Sequence, residues 1–226
     1  MIRPLAITLT VALSAWSGSD IAFADSPAGE QNLFNGKDLS GWTFFLVDKN
    51  AKMEDVWSVK DGLLVCKGKP MGYLATKQKF KNFKLIVEWR WAPGKKPGNS
   101  GVLMRITGKP KMLPNCMEAQ LMNGNAGDMY GFQGFKIDGD ASRRRDVKKH
   151  KLAGYLRALK KIRGNENKPG EWNRYEIIVH NDHVTLSVNG KKVNEATGCD
   201  VRAGQIGLQS EGGEIHFRKV ALTPLK

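Results

Sequence analysis

The feature that most constrains this chain is how often it turns back on itself. "WSVKDGLLVCKG" (57–68) joins two short runs through Asp61-Gly62, a pair suited to the two-residue hairpin turn because both central residues must take φ > 0. "FKLIVEWRW" (83–91) alternates Phe83, Leu85, Val87, Trp89 and Trp91 with Lys84, Ile86, Glu88 and Arg90; in a strand, alternate side chains share a face. "YEIIVHNDHVTLSVNGKKV" (175–193) carries two further turns, Asn181-Asp182 and Asn189-Gly190, and Val184, Leu186 and Val188 form the inward face of the strand between them. "SGVLMRI" (100–106) and "GQIGLQSEGGEIHFRKVAL" (204–222) continue the pattern. Roughly a dozen such strands at short spacing predict an all-β sandwich. There is no internal repeat.

One segment departs from the alternation. Residues 136–170 hold twelve Lys/Arg against four Asp/Glu. Within them "KLAGYLRALKKI" sets Leu152, Tyr155, Leu156, Leu159 and Ile162 at helical spacing, with Asp146 upstream as a cap and Gly164 as a stop. The expectation is a basic amphipathic helix inserted in a loop. Its apolar stripe packs on the sandwich with a solvated Lys/Arg face, or it binds an anionic polysaccharide or a membrane surface.

The start of the chain reads as an export signal. Arg3 precedes a short, mostly apolar run from Leu5 to Trp16, and Ala22-Phe23-Ala24 supplies a cleavage site. Residues 1–24 are therefore expected to leave and Asp25 to begin the mature protein, periplasmic or extracellular. The run is too short to span a membrane. The remaining stretch, 25–226, fits one domain with a sizeable core. Cys66, Cys116 and Cys199 lie far apart in sequence, which allows one bridge and a leftover thiol or three buried free thiols. The net charge of +14 favours anionic surfaces or polymers; no specific nucleic-acid binding is expected.

Seven phrases then fall in a recognisable order: "LFNGKDLSGW" (33–42), "WSVKDGLL" (57–64), "GYLATKQKFKNFKLIVEWR" (72–90), "NSGVLMR" (99–105), "MEAQLMNG" (117–124), "PGEWNRYEIIV" (169–179) and "IGLQSEGGEIHFRKV" (206–220). Together they resemble the 3-keto-disaccharide hydrolase domain family, over nearly the whole stretch from Asn32 to Leu222. The resemblance implies a concanavalin A-like lectin/glucanase jelly-roll β-sandwich, in agreement with the strand count. It also implies carbohydrate as the partner. The basic segment is the departure, since the family passes from the region of Tyr130-Gly131 to "PGEWN" through a shorter loop.

Jelly rolls of this kind bind sugars on a sheet face lined by polar residues at alternate positions. By strand parity Glu88, Arg90, Arg105, Glu118, Gln120, Gln209 and His216 point away from the core. Glucanases of this fold use two carboxylates on one strand in a pattern close to E-x-D-x-x-E. Here that strand reads Glu118-Ala119-Gln120-Leu121-Met122-Asn123, so the middle acid is an amide and the last is missing. The pattern argues against ordinary two-carboxylate hydrolysis from this strand. A 3-keto sugar needs less, because its ketone acidifies the C2 proton and the C1 substituent can leave by elimination. One base, one group to protonate the leaving oxygen and a donor to the enolate suffice. Glu118 and His216 are candidates for the base, and Arg105 and Gln120 for the oxygen donors. Glu88 and Glu211 are candidates for the acid or for metal ligands. Asn99 and Gln209 complete the substrate-binding set. No cofactor is expected and no Ca²⁺ loop is recognisable; by analogy with lectins of the fold, Asp38, Asp128 and Asp138 are the candidates for Ca²⁺. Against the enzyme stand a non-catalytic carbohydrate-binding module of the same fold and a basic adhesin or envelope scaffold.

Overall fold

Alternating side chains and tight turns resolve into two antiparallel sheets in the computed structural model, which describes residues 29–226; the expected signal segment lies outside the described residues. The strands are β1 (Gln31–Asn32), β2 (Trp42–Leu46), β3 (Trp57–Lys60), β4 (Leu63–Cys66), β5 (Gly72–Thr76), β6 (Phe83–Trp91), β7 (Gly101–Thr107) and β8 (Asn115–Gln120). They continue as β9 (Met129–Phe132), β10 (Arg144–His150), β11 (Gly154–Leu159), β12 (Asn173–His180), β13 (His183–Val188), β14 (Lys191–Ala196), β15 (Gln205–Ser210) and β16 (Ile215–Pro224). Sheet I runs β14-β13-β12-β6-β16-β4-β3, with β1 added on β16, and sheet II runs β10-β11-β9-β8-β7-β15-β5-β2. Asp61 and Gly62 both have positive φ, 52° and 73°, as do Asn189 and Gly190, 49° and 79°. These two turns therefore close their hairpins.

The core lies between the sheets. Leu85, Val87 and Trp89 of β6, Ile177 and Val179 of β12 and Phe217 of β16 meet Val102 and Met104 of β7, Met117 and Ala119 of β8, and Ile206 and Leu208 of β15. Burying each large apolar side chain contributes about 1.5–3 kcal/mol. Trp42, Trp57 and Trp89 are buried. A second apolar cluster sits on the outer face of sheet II, where Tyr73, Leu103, Cys116 and Phe132 are covered by Met112, Leu113 and Ala153. Cys66, Cys116 and Cys199 are three buried free thiols, and burial raises the pKa of each.

The expected basic helix is not there. Residues 144–159 form an antiparallel hairpin at the edge of sheet II, with Arg145 opposite Ala158 and Val147 opposite Leu156. Gly154, at φ 62°, completes its turn in a left-handed conformation that a helix interior does not use. Leu156 and Ala158 join the outer cluster while Leu159 enters the core, so the segment is apolar on both faces and mimics helical spacing. Leu152 and Ile162, placed in the stripe, are exposed. Asp146 caps nothing and pairs with Arg157 at 2.7 Å.

Candidate functional site

Strand parity on β8 builds the site. Met117 and Ala119 point into the core, so Cys116, Glu118 and Gln120 stand on the outer face of sheet II. Directly opposite Glu118 are Leu103 on β7 and Tyr130 on β9. Gly101 lies diagonal to it, opposite Gln120. A β-carbon at Gly101 would overlap Oε1 of Glu118 and Oε1 of Gln209; the missing side chain is what lets the carboxyl and the amide lean together over the strand. Gln209 comes from β15, and Tyr73 of β5 lies opposite it with its ring stacked on Phe45 at 5.5 Å. At one end of this face the backbones of Gly98 and Gly213 pack so closely that neither tolerates a β-carbon. The Asn99 amide donates to Gly212 O at 2.8 Å. That contact holds the loop bearing Asn99 against the loop bearing Glu211.

The polar groups here are buried and unpartnered. Glu118 is 2% exposed and Gln209 0%. Oε1 of Glu118, both side-chain polar atoms of Gln209 and Oδ1 of Asn99 have no hydrogen-bond partner in the protein. Such groups normally find partners, so their concentration beside one carboxyl marks a place built for a polar ligand. Burial raises the pKa of Glu118 well above the usual carboxyl range, and the charge of Glu211 adds to the effect. Burial alone pushes Glu211 up to about 7. Tyr73 and Tyr130 are pushed up to about 12, chiefly by burial, and both keep their O–H donors at neutral pH. Gln120 turns its Oε1 to the amides of Leu121 and Met122, each at 2.9 Å, which leaves its Nε2 as donor.

The structure thus brings Glu118, Gln120, Gln209, Asn99 and Glu211 to one face and sends three other candidates elsewhere. Arg105 sits at a bulge, with φ 55°. Leu103 and Ile106 both stay on the outer face, so the extra residue breaks the parity on which its placement rested. Its guanidinium instead donates to the carbonyls of Lys81 (2.8 Å), Asn181 (2.8 Å) and Asp200 (2.6 Å). Arg105 ties the rims of the two sheets together. Glu88 lies on the outer face of sheet I, on the far side of the core, bound by Arg174 and Arg218 at 2.6 Å each. Hydrogen bonds from these arginines outweigh burial and hold its carboxyl below the usual range. His216 is on that same far face, opposite Arg90, with Nε2 3.0 Å from Glu214. Neither can act with Glu118.

The Ca²⁺ candidates do not meet either. Asp38 closes a turn with Asn35 and Ser40, Asp128 pairs with Lys160, and Asp138 pairs with Arg144. Among the described residues no group of three or more His, Cys, Asp or Glu could hold a metal ion. Two surface clefts, about 340 and 520 Å³, open beside Asp138 and Asp140. Neither contains the unpartnered polar groups, and the burial and chemistry around Glu118 make that face the candidate site. Tyr73 and Tyr130 were missed from the sequence; the parity of "GYLAT" against "IGLQS" and of "MYGF" against "MEAQ" carried the signal.

Two eight-stranded antiparallel sheets, one with a polar site on its outer face, define a concanavalin A-like jelly roll. A candidate glycosyl hydrolase of Parabacteroides distasonis has this fold, with a TM-score of 0.63, 21% identity, and coverage of 88% of this chain and 95% of that one. So does a carbohydrate-binding module of Bacillus subtilis, at a TM-score of 0.55, 13% identity, and coverage of 80% and 93%. The chain belongs to the 3-keto-alpha-glucoside-1,2-lyase-like domain family, whose profile matches residues 29–223. A 3-keto-disaccharide hydrolase of Bacteroides thetaiotaomicron is 24% identical over 98% of this chain and 87% of its own length.

Proposed function

We propose that this protein is an exported enzyme that cleaves 3-keto-glycosides by base-assisted elimination followed by hydration. The observation that carries this reading is a buried carboxyl, Glu118, near a half-buried one, Glu211, both with raised proton affinity, beside unpartnered amide groups. Environments that separate two titrating groups assign the acid and the base. Glu211, near its midpoint at neutral pH, is the base that removes the C2 proton. The electron pair forms the enolate at C2–C3, with its oxygen held by Gln209 Nε2 and a tyrosine O–H. The C1–O bond then breaks, and the leaving oxygen takes the proton of Glu118. Water adds back across C1 and C2: Glu118 takes its proton as oxygen bonds C1, and Glu211 returns a proton to C2. Both carboxyls end as they began.

Family membership and the named relative support the substrate class; Arg3 and Ala22-Phe23-Ala24 support export. Purified protein is expected to turn over a 3-keto-glycoside and leave the matching unoxidised glycoside intact. Binding of both without turnover of either would favour the carbohydrate-binding module instead. Mass spectrometry of protein from its native cell is expected to find Asp25 at the N-terminus; Met1 would refute export with cleavage.

A further inference from the structure

The hairpin that replaces the expected helix extends the very face on which Glu118 lies. Strand register runs in one straight row: Leu103 opposite Glu118, Glu118 opposite Tyr130, Tyr130 opposite Ala158, and Ala158 opposite Arg145. Directly opposed residues in an antiparallel sheet project to the same side. Arg145 therefore shares the face of the Glu118 carboxyl, three strands away, or about 14 Å at the usual strand spacing. The other arginines around it are engaged: Arg144 pairs with Asp138, Arg157 with Asp146, and Arg143 lies 3.7 Å from Asp140. Among the described residues Arg145 has no acidic partner. It is exposed, on an edge strand that also carries Lys148 and Lys149.

A cation that only guarded the strand edge against pairing would be served by any positive charge. Arg145 differs in standing at the end of a row that begins at the reacting carboxyl and passes over Tyr130 and the small Ala158. We infer that Arg145 forms an anion-recognising subsite, and that the substrate is an acidic sugar carrying a carboxylate one or two units from the cleaved bond. A guanidinium presents two parallel N–H donors that fit a planar carboxylate. The inference deepens the proposed function and rests on it for the location of the reacting bond.

The test pairs two 3-keto-disaccharides that differ only at C6 of the sugar not oxidised at C3, a carboxylate in one and a hydroxymethyl group in the other. Wild-type protein is expected to favour the carboxylate by about tenfold or more in kcat/KM, as a charge-assisted pair implies. In Arg145→Gln that ratio is expected to fall toward one, and in Arg145→Lys to an intermediate value. The same ratio in wild type and Arg145→Gln, or equal ratios in Arg145→Lys and wild type, would overturn the subsite. Calorimetric binding of the two unoxidised disaccharides separates this inference from the enzymatic one. A carboxylate preference in binding that Arg145→Gln abolishes supports the subsite even when turnover is absent. Binding without that preference, or no binding of the carboxylate form, refutes the subsite even when turnover is found.

Discussion

The two outer faces of the sandwich each present a glutamate at an outward strand position, and they treat it in opposite ways. On sheet I, Glu88 lies between Arg174 and Arg218, and Trp172 is stacked between Arg90 and Arg218 at 4.5 Å from each. Glu88 has both counter-charges at the edge of water, and the carboxyl is held ionised. On sheet II, Glu118 is enclosed, its Oε1 has no partner, and its neighbour is another carboxyl. Counter-charges make the first glutamate chemically quiet. Burial without compensation leaves the second holding a proton that it can give away. A polar residue at an outward position is thus only a candidate; what surrounds it decides whether it can do chemistry.

The sharpest break of this contrast is the pair Glu118→Gln and Glu88→Gln. Turnover of a 3-keto-glycoside is expected to fall by about 10²-fold or more in Glu118→Gln, as loss of a general acid implies, and to stay within about twofold in Glu88→Gln. Stability should order the other way. At pH 7 Glu88→Gln is expected to cost about 1 kcal/mol or less, because both arginines are nearly half exposed and such pairs are screened. The depressed pKa of Glu88 means this contribution is present at neutral pH and is lost as pH falls through the folded value. The raised pKa of Glu118 has the opposite sign: wild type loses stability as pH rises from the ordinary carboxyl range toward the folded value, so Glu118→Gln is expected to be at least as stable as wild type at pH 8. Denaturant unfolding of the three proteins at pH 5 and 8 checks both signs. An equal loss of turnover in the two variants would erase the distinction between the faces.

A smaller effect sharpens the assignment within sheet II. With Glu211 titrating near 7, kcat/KM is expected to rise with pH through about 7 and to fall only where Glu118 gives up its proton, an apparent pair of values belonging to the two carboxyls together. The profile of Glu88→Gln should superimpose on wild type. A rate flat from pH 5 to 8 would remove Glu211 as the base.

The local code of the chain was legible because it is local. Asp61-Gly62 and Asn189-Gly190 turn where φ must be positive, and the period of two in "FKLIVEWRW" and "NCMEAQ" assigns each side chain to the core or to an outer face. The same reading put Glu118 beside Gln120 and singled out Gln209 and Glu211. It failed where a residue's neighbours come from other strands. The bulge at Arg105 shifts parity by one. The edge of β9 draws "GYLRAL" into a strand, and the glycine that should have argued against a helix, Gly154, was read as part of one. Parity also cannot say on which of two sheets a residue lies, because both present an outer face. Only the tertiary structure put Glu88 and His216 across the core from Glu118 and set Glu211 and Asn99 beside it. Only burial, a sum over the side chains that assemble around a site, made one glutamate acidic at neutral pH and left the other a surface charge.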